Sequence, residues 1–96
     1  MTKADIVKEI SDQTGIDRRT VLATVETFME SIIEAMKEGE NVYLRGFGSF
    51  VVKHRAEKAA RNITKNTTIV IPARKVPIFR PARGFLDDVK NNSEKK

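Results

Sequence analysis

The 96-residue chain has no cysteine, no tryptophan, one tyrosine and one histidine. Without Cys it can build neither a disulfide framework nor a zinc–thiolate site, and it has no thiol nucleophile. His54 stands alone between Lys53 and Arg55, with no second His for a metal and no Ser/Asp partner at motif spacing. No catalytic residue, metal, cofactor or small-molecule substrate is therefore expected, and the chain is read as a non-enzyme. No apolar run approaches the roughly 20 residues of a membrane span. The opening MTKADIVKEI carries Lys3, Asp5, Lys8 and Glu9 where a secretion signal needs an apolar stretch. A soluble, cytoplasmic protein with no membrane partner is the expectation.

What the chain has in quantity is charge, and the two signs are segregated. Residues 1–44 carry five basic and nine acidic groups, a net −4, whereas residues 45–86 carry ten basic groups and only Glu57, a net +9. A solubilising surface intersperses its signs. A stretch of one sign this long attracts a polyanion instead.

Periodicity divides the chain into a helical part (residues 1–40), a sheet with a projecting arm (41–81), a last helix (83–90) and a polar flexible tail (91–96). Thr2-Lys3-Ala4-Asp5 has the form of a capping box and Gly15 can close the first helix in a left-handed conformation. Asp17 can cap a second helix, whose apolar positions run from Val21 to Met36 at helical spacing until Gly39. Glu26, Glu30, Glu34 and Glu38 step down another face, read as solvated. From Asn41 the period becomes two, and Gly46-Phe47-Gly48 reads as the turn of a hairpin ending at Arg55. Ala56 to Thr67 holds Ile63 as its only large apolar residue, so it projects. Thr68 to Ile71 is strongly β-forming and is expected to pair back on Val51 to Arg55, with a tip near residues 62–66. Pro72 and Pro77 suit edge positions at the base of this arm.

With about a quarter of its length in an arm, the chain is too small to hide Phe28, Met29, Ile32, Phe47, Phe50 and Phe79 by itself. These residues are expected to form the core of an obligate dimer, taken as a homodimer. A basic β-ribbon fits a nucleic-acid groove, and its cations would neutralise phosphates. In extended strands Lys53, Arg55 and Arg61 share a parity, with Arg74 and Lys75 on the return strand. Ile63 at the tip is placed to wedge between base pairs. The alternative is a helix-turn-helix regulator reading DNA with Arg18 and Arg19, although its second helix is too acidic for a groove.

Gly46-Phe-Gly-Ser-Phe50, the arm from Arg55 to Lys65 with Arg61-Asn62, and Ile71-Pro-Ala-Arg-Lys-Val-Pro-Ile-Phe-Arg80 together resemble the bacterial histone-like HU / integration host factor family over about residues 1–90. The resemblance implies an α+β fold. In it, an intertwined dimer has a helical base and a three-stranded antiparallel sheet extended into two-stranded arms that wrap and bend double-stranded DNA, bent, nicked or gapped DNA included. By the same resemblance, Arg55, Lys58, Arg61, Asn62, Lys65, Arg74 and Lys75 line the arm contacts, while Lys3, Arg80 and Arg83 touch flanking phosphates. It further implies architectural, weakly sequence-selective binding through the minor groove and compaction of DNA in the nucleoid. The sequence departs from the family at the tip, where Ile63 stands for the usual Pro and Asn66 for Gly, and at Ala82-Arg83, where the family has Gly-Lys.

Overall fold

A computed structural model describes residues 1–62 and 67–94. Helix α1 (Lys3–Thr14) begins in a complete capping box, with Asp5 N–H donating to Thr2 Oγ1 and Thr2 N–H to Asp5 Oδ2. It ends at Gly15, whose N–H donates to the Ser11 carbonyl and whose φ of 78° turns the following chain out of the helix. Helix α2 (Arg18–Lys37) starts on Asp17, which accepts from the Thr20 N–H and hydroxyl. Both hydrogen bonds hold the Asp17 carboxyl below its ordinary value of 3.8, the hydroxyl bond most. A carboxylate depressed in the folded state stabilises fully above its unfolded value and loses that contribution as pH falls through the folded one. The melting temperatures of wild type and Asp17→Asn, which keeps the cap but cannot titrate, should therefore converge as pH drops below about 4. A constant difference across that window would exclude this linkage.

Strands β1 (Val42–Leu44), β2 (Gly48–Arg55) and β5 (Arg74–Pro81) form an antiparallel sheet in the order β1-β2-β5. Strands β3 (Lys58–Asn62) and β4 (Thr67–Ile71) form a separate two-stranded ribbon, and helix α3 (Arg83–Glu94) closes the chain. The pairing differs from the expectation. Val51 to Arg55 pairs with β5, and β4 pairs with β3 in a hairpin that runs from Lys58↔Ile71 to Asn62↔Thr67. Lys-Ala-Ala-Arg-Asn has little β propensity of its own, so the Thr-Thr-Ile-Val-Ile strand opposite it imposes the extended state. The last helix is also longer than expected. Asn91 to Glu94 continue α3 instead of starting a tail, since no Gly or Pro interrupts them. Pro77 lies in the edge strand β5, and Pro72 sits between β4 and β5 where the ladder is interrupted.

The two glycines of the β1–β2 turn do different work. Gly46 adopts a φ of 83°, which favours glycine, whereas Gly48 needs space. A Cβ there would stand 2.6 Å from the Arg80 carbonyl oxygen and 2.7 Å from the Phe79 ring. Gly48→Ala should destabilise by about 1–3 kcal/mol, lowering the melting temperature by several degrees in a thermal scan. An unchanged melting temperature would show that β5 yields freely at this contact.

Burial within the single chain is slight. Among the described residues only Val7 and Val21, at the α1–α2 contact, are fully buried hydrophobics. The accessible surface is 8141 Å², against about 5,500 Å² for a compact monomer of this mass. The radius of gyration is 19.2 Å, against about 12.5 Å for a compact chain of this length. Phe47, Phe50, Phe79 and Phe85 gather with ring centroids 4.9–6.0 Å apart, yet Phe47 remains 46 % and Phe79 36 % exposed. On α2, Phe28 and Met29 are exposed and Ile32 is half-buried.

Candidate nucleic-acid interface

Among the described residues, none of the five strands contains an Asp or Glu. Arg55 is the direct cross-strand partner of Arg74. Like charges placed opposite each other destabilise a ladder. They are tolerable where an anion neutralises them.

The register decides which cations act together. From Arg55 to Lys58 is three residues, and from Ile71 to Arg74 is also three, so no bulge offsets the ribbon from the sheet. Side chains alternate between faces along each strand. In the sheet one face carries Arg80, Lys53, Arg55 and Arg74, and counting the alternation on through residues 56–57 puts Arg61 with them. All five are exposed. The opposite face carries Lys75 and Lys58. Arg74 and Lys75 lie on the return strand as expected, on opposite faces, and Lys75 Nζ donates to the Lys37 carbonyl at 3.3 Å, at the C-terminal end of α2 where a cation is favoured.

The remaining sequence-derived sites lie on the body or at the tip. Lys3 is engaged by Glu26, Nζ to Oε2 at 2.8 Å, so Glu26 is not part of a purely solvated column. An exposed pair of this kind is worth about 0–1 kcal/mol, which leaves Lys3 able to exchange Glu26 for another anion. Further ion pairs, Lys8–Asp12 and Lys37–Glu34, also belong to the helical base. Arg83 opens α3, where a positive charge opposes the helix dipole. Ile63 and Lys65 lie outside the described residues. Sequence reasoning missed Ala59 and Val70, which sit opposite each other on the same face as Arg55, Arg61 and Arg74. Alternation counted along β4 would have found Val70.

A small α+β body of helices under a three-stranded sheet, with a carboxylate-free cationic ribbon projecting from it, defines a class of protein that meets a polyanion. The comparisons give that class its family. The profile described as "Bacterial DNA-binding protein" matches residues 1–90, and the chain belongs to that family, whose members are DNA-binding proteins and not enzymes. DNA-binding protein HU of Geobacillus stearothermophilus is 34 % identical, covering 94 % of this chain and 100 % of that protein. Integration host factor subunit alpha of Aliivibrio fischeri is 36 % identical, covering 95 % of this chain and 93 % of that protein. The structure is similar to that of Anabaena HU cocrystallised with DNA, with a TM-score of 0.85 and 32 % identity over 93 % of this chain and 97 % of that one. These relatives support the HU fold and give no support to the helix-turn-helix alternative. No helix among the described residues is long and apolar enough to cross a membrane.

Proposed function

We propose that the protein is an architectural DNA-binding protein that clamps double-stranded DNA between the arms of a dimer, bends it and compacts it in the nucleoid of the cytoplasm. The observation that carries this reading is the single face shared by Arg80, Lys53, Arg55, Arg74 and Arg61, with Arg55 set directly against Arg74. Such a face supports binding through phosphates with low sequence selectivity. Lys3 and Arg83 extend the contact along the body, while Lys58, Asn62, Lys65 and Lys75 supply charge and hydrogen bonds from the other face and the tip. Ile63 acts as the wedge. The family match over residues 1–90 supports treating those residues as one DNA-binding unit.

The exposed Phe28, Met29, Phe47 and Phe79 support the dimer, in which helices and sheets of two copies share one core. The test is binding to a random-sequence duplex and to the same duplex carrying a gap, for wild type and Ile63→Ala. Tighter binding to the gapped duplex, lost in Ile63→Ala, supports a bending arm with Ile63 as its wedge. Equal binding to both duplexes would oppose it.

A further inference from the structure

Residues 45–86 hold ten basic groups and a single carboxylate, Glu57, and that carboxylate stands at the base of the cationic arm. It lies between β2 and β3, where the ladder is interrupted between the Arg55↔Arg74 and Lys58↔Ile71 pairs. The alternation that leads from Lys53 and Arg55 on to Arg61 passes through Glu57. From body to tip the order on that face is Lys53, Arg55, Glu57, Ala59, Arg61, so Glu57 follows directly on the Arg55–Arg74 pair. Other acidic groups of the chain have structural tasks: Asp5 and Asp17 cap helices, and Asp12, Glu26 and Glu34 pair with lysines. Glu57 has none of these. It is exposed, and among the described residues it makes no hydrogen bond or ion pair.

Residues two apart in an extended chain are about 6.6 Å apart. That is within the Debye length of about 10 Å at 0.1 M salt, so Glu57 feels Arg55 and Arg74 without touching them. In the free protein its charge offsets the repulsion between these two arginines. In a DNA complex a phosphate does this instead, and Glu57 then stands as a like charge near the phosphate, an arrangement that costs binding free energy. Both contributions favour the free protein over the complex. We propose that Glu57 is a built-in brake on DNA affinity, an anion of the arm itself that offsets the Arg55–Arg74 pair until a phosphate replaces it. Because the brake acts on the sugar–phosphate backbone, it weakens binding to any base sequence alike. This inference rests on the DNA-binding reading above and names a residue that sets the strength of that binding.

The test compares wild type with Glu57→Gln, Glu57→Asp and Glu30→Gln on one random-sequence duplex, at salt concentrations from about 50 to about 200 mM. Glu30→Gln makes the same change in net charge at an exposed position of α2, away from the arm. At the lowest salt Glu57→Gln should bind about two- to thirtyfold tighter than wild type, since each of two arms loses one exposed charge interaction. The gain should shrink toward the highest salt, as screening shortens the reach of the lost charge. Glu57→Asp keeps the charge and should bind as wild type does, and Glu30→Gln should gain far less than Glu57→Gln. Circular dichroism confirms that each variant folds. Glu57→Gln binding no tighter than wild type, Glu57→Asp gaining as much as Glu57→Gln, or an equal gain in Glu30→Gln would overturn the inference and leave DNA binding standing. Absence of binding by wild type and every variant would overturn the DNA-binding reading and the inference with it.

Discussion

Replacing Arg55, Arg61 and Arg74 together by Ala should markedly reduce the salt sensitivity of DNA binding. Each neutralised phosphate contributes about 0.9 to the slope of log affinity against log salt, so six fewer cations in a dimer should flatten that slope by about 5. Wild type is expected to lose on the order of 10³-fold or more in affinity between about 50 and 200 mM salt, as proteins with six or more phosphate contacts do. The triple variant should lose far less over the same range and should bind more weakly throughout. The like-charged Arg55–Arg74 pair also predicts that the unbound variant is no less stable than wild type. Titrations across a salt series, with a thermal scan of the free protein, check both parts. A variant with the wild-type slope would mean that these arginines do not meet phosphates.

The second large effect is expected from Phe79→Ala. Phe79 lies 4.9 Å from Phe50, 5.3 Å from Phe47 and 6.0 Å from Phe85, measured between ring centroids. It links the sheet to the turn and to α3. Truncating a well-buried Phe costs about 3–5 kcal/mol. In the single chain Phe79 is 36 % exposed, so a loss of that size requires a second copy to complete its burial. The wild-type melting temperature should rise with protein concentration, as for any fold whose core is shared between subunits. Phe79→Ala should melt well below wild type and dissociate at concentrations where wild type is dimeric, while Phe79→Leu recovers much of the difference. Denaturation at several concentrations, combined with sedimentation, reads both effects. A concentration-independent wild-type transition would contradict a shared core.

Features set by residues near one another in sequence were legible from the sequence. The capping box at Thr2–Asp5, the Asp17 cap, the left-handed Gly15 and the Gly46 turn each depend on a few consecutive residues. Features that depend on distant partners were not. The role of Gly48 is set by Phe79 and Arg80, about thirty residues away, so its need for space cannot be read from the turn. Strand β3 shows no strand signal of its own because its extended state comes from β4. At the site, the cations were visible as a run of charge, but which of them share a face across strands needed the register that sets Arg55 against Arg74. Val70 was hidden for a related reason: an apolar residue in a β-forming run reads as core until its strand is seen to leave it 57 % exposed.

The central claim is that a dimer with two cationic arms bends duplex DNA, and a duplex labelled at both ends tests it most directly. Saturating wild-type protein should bring the two ends closer, seen as increased energy transfer, because bending lets more of the duplex meet the body and arms. The Arg55/Arg61/Arg74 variant, at concentrations where it occupies the same duplex, should produce a smaller change. A wild-type complex that is fully bound while its ends stay as far apart as in free DNA would contradict the claim.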